Sequence, residues 1–148
     1  MRCESAASEA DMFALAKRLA PLLKPGDTLA LHGGLGAGKT TFARGLISAL
    51  MGEETEVPSP TYTLVQTYVA PIATIWHFDL YRLDDAEEVF ELGWDDAATG
   101  ITILEWPDRA EPFLPSYRLD VRIDDSTEIR RVSLVGHGKD WQDRLDAF

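Results

Sequence analysis

The chain has 148 residues, 45% of them apolar, which is enough for one domain with a buried core over residues 1–148 and too few for two. Its 14 basic and 25 acidic side chains give a formal net charge of −11, which repels a phosphate backbone and argues against direct nucleic-acid binding. The single cysteine, Cys3, expected in a frayed terminus, excludes an internal disulfide, and no apolar run approaches the roughly 20 residues that span a bilayer. We therefore expect a cytoplasmic protein without membrane contact.

The first elements in chain order are a helix, a strand and a second helix. Ser8 heads a helical pattern of apolar residues, and Pro21 is expected to kink or end that helix. The short apolar run Thr28–His32 predicts a buried strand. A helix then continues from Thr40 with one apolar face, and Gly52 is placed to end it.

The rest of the chain predicts further strands with short helices between them. Residues 53–60 are acidic and bracketed by prolines, and we expect them to form an extended, mobile connection that acts as a switch candidate. Apolar alternation and capping signals predict the remaining elements: strands at 62–69, 73–78 and 101–104, a helix at 85–92 capped by Asp84, a hairpin of 117–123 with 129–135, and a helix at 141–148.

A phosphate-binding loop lies between the predicted first strand and second helix. Residues 33–40 read Gly-Gly-Leu-Gly-Ala-Gly-Lys-Thr, an unbroken match to G-x-x-x-x-G-K-[ST]. Glycines let backbone N–H groups turn inward on one anion, Lys39 would place its ammonium on the β- and γ-phosphates, and Thr40 would ligate Mg²⁺. The alternative is a flexible turn that binds nothing. The context favours a nucleoside triphosphate site formed by Gly33, Gly34, Leu35, Gly36, Ala37, Gly38, Lys39, Thr40 and Thr41.

Two acids follow runs of strand-forming residues and could complete such a site. Glu105 and Asp79 are each expected at a strand tip, where a carboxylate can orient Mg²⁺ or an attacking water. Glu105 otherwise needs a polar partner or open water, and Asp79 could instead pair with Arg82 or cap a turn. Thr61 could sense the γ-phosphate or cap a turn.

Several other side chains leave two interpretations open. Trp106 directly follows Glu105 and either stacks on a partner or fills the core. Four arginines form either a basic strip on neighbouring strands or solvated edge charges: Arg118, Arg122, Arg130 and Arg131. Three histidines lie far apart without metal-ligand spacing and are interpreted as packed or surface residues: His32, His77 and His137.

Two classes of P-loop protein are disfavoured by what the sequence lacks. Guanine-reading GTPases use an Asn-Lys-x-Asp motif, and this chain contains no asparagine and no Asp-x-x-Gly switch. P-loop kinases bring an arginine-rich lid over the phosphates, whereas the segment 53–91 of this chain contains a single arginine, Arg82. A small-molecule kinase with Asp79 as general base stays open as an alternative, as does a module that holds ATP without splitting it.

Five short motifs occur in one order: the P-loop, Ser59-Pro60-Thr61-Tyr62, His-Phe-Asp-Leu-Tyr-Arg-Leu at 77–83, Glu91-Leu92-Gly93 and Glu105-Trp106-Pro107. With these motifs the chain resembles the TsaE family, also called YjeE, over residues 25–107. The resemblance is specific because unrelated motifs share one order and spacing. It implies the P-loop ATPase of bacterial tRNA threonylcarbamoyladenosine synthesis, which acts with the TsaD and TsaB proteins and reaches tRNA only through their complex.

The resemblance also implies a fold and a set of site residues. The fold would be an α/β, P-loop NTPase-like three-layer sandwich whose central sheet mixes parallel and antiparallel strands. Thr61 would respond to the nucleotide and Trp106 would couple the site to a partner. Gly34 departs from the family, which usually has an acid there. The cofactors would be ATP and Mg²⁺, with catalytic roles for Lys39, Asp79 and Glu105 and metal contacts from Thr40, Glu105 and Asp79.

From these observations we expect a slow ATPase that its partners stimulate. Hydrolysis would reset a TsaD–TsaB complex between rounds of tRNA modification, so that ATP is consumed for conformational change and not for transfer to a substrate. The acidic surface and the missing substrate lid motivate this hypothesis.

Overall fold

The computed structural model describes residues 1–60 and 62–148, and its strands form one seven-stranded sheet. In space they follow the order β1-β7-β6-β2-β5-β4-β3. The inner strands β6, β2, β5 and β4 run parallel, whereas β7, β1 and β3 pair antiparallel with their neighbours. The predicted α/β fold with a mixed sheet is confirmed. The strands are β1 (Arg2–Ala6), β2 (Thr28–His32), β3 (Val65–Val69), β4 (Thr74–Asp79), β5 (Ile101–Glu105), β6 (Arg118–Asp124) and β7 (Arg130–His137).

Local signals explain where the helices begin and end. The Ser8 hydroxyl accepts a hydrogen bond from the Asp11 N–H at 3.1 Å and so caps the first helix. Gly52 ends the second helix with φ 81°, in the left-handed region that glycine adopts readily. The helices are α1 (Glu9–Leu19), α2 (Lys39–Met51), α3 (Trp94–Ala97) and α4 (Lys139–Asp146), with 3₁₀ segments at Ala20–Leu22, Ala86–Leu92 and Pro107–Phe113.

Two hydrophobic clusters cover the two faces of the sheet. Alternate residues of β5 point to different clusters: Ile103 belongs to the cluster beneath α1 and α2, and Leu104 belongs to the cluster beneath the 3₁₀ segments Ala86–Leu92 and Pro107–Phe113. The close packing of α1 on α2 requires Gly45, because a Cβ there would lie 2.7 Å from the Phe13 carbonyl oxygen. Coverage on both faces explains why all five residues of β5 are buried.

A buried ion pair ties α4 to the start of β2. The Arg144 guanidinium donates to the Asp27 carboxylate at 2.6 and 3.0 Å and also to the Leu22 carbonyl oxygen. Its remaining donors reach Asp140 at 2.7 Å and the Tyr117 hydroxyl at 3.0 Å. We call Arg144, Asp27, Asp140 and Tyr117 the anchor cluster.

Several predicted boundaries and contacts were wrong. The N-terminal segment holding Cys3 is not frayed but forms β1, in which Cys3 pairs with Ser133 of β7. The helix predicted at 85–92 is a 3₁₀ segment, and its cap is Asp85 instead of Asp84. No helix among residues 1–60 and 62–148 is long and apolar enough to span a membrane.

The four arginines do not form one strip. Core residues alternate with arginines along β6 and β7, which places three arginines on the face away from α1 and one on the opposite face. Arg118 of the first group donates to the buried Asp120 at 3.0 Å, where His32 and His137 also bind. The face away from α1 carries Arg118, Arg122 and Arg131, whereas Arg130 reaches the P-loop.

Candidate functional site

A cavity of about 310 Å³ opens at the carboxyl ends of the central parallel strands. The P-loop forms one wall, and Asp79 and Glu105 lie opposite at the tips of β4 and β5. These two acids are directly paired in the sheet register, as expected for the ends of neighbouring parallel strands. Trp106, Arg130 and the first turn of α1 complete the lining. The structure therefore brings the sequence-predicted acids, the loop and Trp106 to one place.

The P-loop turns into α2 through a left-handed residue. Gly38 has φ 115° and ψ 13°, a conformation that side-chain-bearing residues rarely adopt. A Cβ at Gly38 would also lie 3.2 Å from the Met12 side chain of α1. The conformation of the loop thus depends on glycine. The loop leads into the N-terminus of α2, the positive end of the helix dipole, where anions bind favourably.

Lys39 is almost fully buried, with 5% of its surface exposed. Its ammonium donates to the carbonyl oxygens of Gly33 at 2.5 Å and Gly34 at 3.2 Å, and it lies 3.6 Å from the centre of the Trp106 ring. Burial lowers the pKa of Lys39, and the nearby carboxylates, Glu105 foremost, oppose that shift. The direct contacts of the Lys39 ammonium are thus two neutral carbonyl oxygens and an aromatic ring.

Thr40 and Glu105 are joined by a hydrogen bond across the cavity floor. The Thr40 hydroxyl lies 3.0 and 3.2 Å from the two Glu105 oxygens, and it acts as the donor because the carboxylate can only accept. The lone pairs of the Thr40 oxygen stay available to a cation. Glu105 also contacts His77 of β4, with 2.6 Å between Nε2 and Oε2.

Asp79 fulfils the turn-capping alternative and lines the cavity as well. Its Oδ1 accepts a hydrogen bond from the Tyr81 N–H at 3.0 Å, while the side chain is 4% exposed at the cavity wall. The guanidinium of Arg82 lies 4.8 Å from the Tyr62 ring. Thr61, the predicted γ-phosphate sensor, lies outside the described residues.

Trp106 links Lys39 to the protein surface. Its backbone is left-handed, with φ 58° and ψ 54°, and this turn holds the indole over the lysine. Trp106 also contacts Tyr81, whose ring centre is 4.8 Å away, and the Arg109 guanidinium lies 5.9 Å from the Tyr81 ring. We call this chain of contacts, from Lys39 through Trp106 and Tyr81 to Arg109, the ladder. Trp106 is therefore partly buried: it packs on a hydrophobic cluster and also contacts residues at the surface.

Sequence reasoning missed two residues at this site. His77 was interpreted as a packed or surface residue; it is indeed packed, and the contact that the sequence did not indicate is the one with Glu105. Arg130 was expected either in a basic strip or among solvated edge charges, but it donates to the Ala37 carbonyl oxygen at 2.9 Å and lines the cavity. Both contacts join residues far apart in the chain. The only available signal was the position of His77 two residues before Asp79, which puts both on one face of β4.

Comparison with known proteins identifies the family. A family model described as "Threonylcarbamoyl adenosine biosynthesis protein TsaE" matches residues 6–132. This chain belongs to the TsaE family. The "tRNA threonylcarbamoyladenosine biosynthesis protein TsaE" of Rickettsia conorii is 41% identical over 129 residues, covering 86% of this chain and 74% of that protein. The Bacillus subtilis protein of the same name is 41% identical over 122 residues, covering 78% and 75%.

The structure of this TsaE family member also resembles a solved one. The crystal structure of YdiB from Bacillus subtilis superposes with a TM-score of 0.80 at 28% sequence identity. The match covers 99% of this chain and 92% of that one. The likeness therefore includes β6, β7 and α4, beyond the region where the sequence motifs carried the resemblance.

Proposed function

We propose that this TsaE family member is a Mg²⁺-dependent ATPase that serves tRNA threonylcarbamoyladenosine biosynthesis in the cytoplasm. The observation that carries the proposal is the Thr40–Glu105 hydrogen bond on the floor of a cavity walled by the P-loop. In P-loop enzymes a Thr hydroxyl holds the metal while an acid on a neighbouring strand stays beside it. The family names of the relatives supply the pathway.

The residues present fit ATP and Mg²⁺. Lys39 can leave its two carbonyl acceptors for the β- and γ-phosphates, and the P-loop lines the same cavity at the start of α2, where helix N–H groups attract anions. Thr40 offers a ligand oxygen, with Glu105 behind it. A bound Mg²⁺ would neutralise phosphate charge, and the chain would position the phosphates and a water through Lys39, Asp79 and Glu105.

We further propose that TsaD and TsaB are the partners and that tRNA is reached only through them. The net charge of −11 supports an indirect contact with RNA. Trp106 is the proposed coupling residue, because the ladder from Lys39 through Trp106 reaches Tyr81 and Arg109 at the surface. A partner that moves these outer residues would change what surrounds the Lys39 ammonium.

Phosphate release tests the proposed activity. We expect the purified protein with Mg²⁺ and ATP to release inorganic phosphate slowly, and faster when TsaD and TsaB are added. Lys39→Ala serves as the inactive control. Equal phosphate release by the parent protein and by Lys39→Ala, with both partners present, contradicts the proposal. Transfer of labelled γ-phosphate to a metabolite instead of water would favour the small-molecule kinase alternative.

A further inference from the structure

We propose that His77 is a positioning residue for this site, holding the Glu105 carboxylate in the orientation in which it meets the Thr40 hydroxyl. The inference rests on the proposed ATPase function and assigns a role to a buried group that this function does not otherwise use. It concerns one hydrogen bond, between His77 Nε2 and Glu105 Oε2 at 2.6 Å.

Strand geometry places His77 behind Glu105. On β4 the residues Ile75, His77 and Asp79 share one face, and Glu105 ends the neighbouring parallel strand β5 opposite Asp79. His77 is fully buried, with 0% of its surface exposed, so water does not compete for its ring nitrogens. The imidazole therefore reaches the carboxylate from a buried position on β4, whereas the Thr40 hydroxyl reaches it from the start of α2.

The partners of the two ring nitrogens indicate which one carries the proton. Nδ1 of His77 is buried and has no hydrogen-bond partner within the described part of the chain, whereas Nε2 faces a carboxylate, which accepts only. A proton on Nδ1 would leave a buried donor unsatisfied and set two acceptors against each other. We assign the proton to Nε2 from this pattern, which makes His77 a donor to Glu105.

Two donors then fix the carboxylate in place. Glu105 Oε1 accepts from Thr40 at 3.0 Å, while Oε2 accepts from His77 at 2.6 Å and lies 3.2 Å from the same hydroxyl. The terminal torsion of a glutamate is soft and has no sharp preferred angle. With only the Thr40 hydroxyl left, the carboxylate could rotate. His77 thus contributes the second point that defines its plane.

A purely structural role explains this histidine poorly. On this face two apolar side chains flank the imidazole, Ile75 on β4 and the paired Ile103 on β5. Polar residues lie towards the strand ends, at Asp79 and Glu105, and on β3 at Gln66, which pairs with this histidine. An apolar side chain of similar size would fill the space without burying a nitrogen that lacks a partner, which carries a free-energy cost. Within the described part of the chain, the hydrogen bond to Glu105 is the contact that accounts for a polar side chain at this position.

The test compares three variants with the parent protein. His77→Met removes the donor and keeps the bulk, His77→Gln restores an N–H donor near the position of Nε2, and His137→Gln changes an imidazole outside the site as the matched control. Two quantities are measured: kcat for ATP hydrolysis, and the ratio of ATP dissociation constants without and with Mg²⁺, obtained by calorimetry. The second readout does not depend on turnover.

We expect His77→Met to lower kcat at least tenfold and to lose most of the Mg²⁺-dependent gain in affinity, while Mg²⁺-free ATP binding stays within twofold. His77→Gln should recover at least half of the lost Mg²⁺-dependent gain, measured on a logarithmic scale, and His137→Gln should match the parent. A double variant, His77→Met with Glu105→Gln, should be no worse than Glu105→Gln alone, because His77 acts through that carboxylate.

The outcomes separate this inference from the proposed function. If His77→Met keeps the full Mg²⁺-dependent gain, or if the two losses simply add in the double variant, His77 does not position Glu105. If the parent binds MgATP but releases no phosphate, the ATPase proposal fails, and the affinity ratios still decide the role of His77. A parent protein that binds no ATP overturns both.

Discussion

The two ends of β2 carry buried charges that are satisfied in different ways. Before its first residue, Asp27 pairs with Arg144. The described residues give each of the five guanidinium N–H groups an acceptor, four within the anchor cluster and one at the Leu22 carbonyl oxygen. After its last residue, Lys39 rests on two backbone carbonyls and an indole ring beside a cavity. The Arg144 guanidinium therefore has no N–H group left to donate to a ligand. The contacts of Lys39, in contrast, can be replaced by a ligand.

This difference separates stabilising charges from functional ones. In the first case, a buried ion pair whose donors and acceptors are all satisfied inside the protein fixes the position of a helix, here α4 on the sheet. In the second case, the buried cation contacts neutral carbonyl oxygens and a ring, and an anion can replace them because it binds the charge more strongly. Substitutions in the anchor cluster should therefore change folding stability, and substitutions around the cavity should change nucleotide binding.

The largest effect is expected at the anchor cluster. Arg144→Met removes the partner of the buried Asp27 carboxylate and should lower the free energy of unfolding by about 3 to 5 kcal/mol. Urea denaturation measures this loss. The fraction that stays folded should bind ATP with unchanged affinity. A loss of ATP affinity in folded Arg144→Met would show that the two ends of β2 are not independent.

The next effect belongs to the cavity. Lys39→Ala should weaken ATP binding by about 2 to 3 kcal/mol, since it removes a charge-assisted contact to phosphate, while the free energy of unfolding changes by less than about 1 kcal/mol. Titration calorimetry and urea denaturation of the same sample check both parts. Unchanged nucleotide affinity in this variant would show that the Lys39 ammonium is not a nucleotide contact.

Much of this arrangement was predictable because its signals are local. The P-loop is one contiguous motif, and Asp79 and Glu105 each follow an apolar strand, so parallel pairing alone brings them to the same edge. His77 could not be assigned because its contact spans 28 residues and depends on the register of β4 with β5. Arg130 reaches Ala37 across 93 residues for a similar reason.

Sheet edges were harder to predict than the sheet centre. The strand β1 pairs with β7 from Arg2 opposite Leu134 to Ala6 opposite Arg130, so its existence depends on residues at the other end of the chain. Its sequence, Arg-Cys-Glu-Ser-Ala, has little apolar content to indicate a strand. Pairing partners, and not local propensity, decide such a segment.

A smaller, pH-dependent effect is expected at Asp120, another buried carboxylate that accepts several hydrogen bonds inside the protein. Burial alone would raise its pKa, but hydrogen bonds from His32, Arg118 and His137 outweigh it and lower the pKa from 3.8 to about 2. A depressed folded-state pKa gives stability that is present above pH 3.8 and lost as the pH falls towards 2. The stability gap between the parent and Asp120→Asn should therefore shrink by about 1 to 2 kcal/mol from pH 5 to pH 2.5.

Urea denaturation at a series of pH values measures that gap. Arg122, 3.9 Å from the carboxylate, also faces it, and Arg122→Gln should reduce the pH dependence only slightly because the side chain is mostly exposed. A gap that stays constant down to pH 2.5 would mean that the hydrogen bonds from His32, Arg118 and His137 do not favour the ionised form of Asp120.

The smallest effect sharpens the functional side of the comparison, because its sign is informative. The Trp106 ring attracts the Lys39 ammonium, so ATP must compete with this contact for the charge. Trp106→Leu should therefore bind ATP slightly more tightly, by about 0.5 to 1 kcal/mol or two- to fivefold, and should lose stimulation by partner proteins. Tyr81→Leu leaves the lysine–indole contact in place and should keep the parent affinity. A weaker affinity in Trp106→Leu would instead make the indole a direct nucleotide contact, and the ladder to Arg109 would then begin at the ligand and not at Lys39.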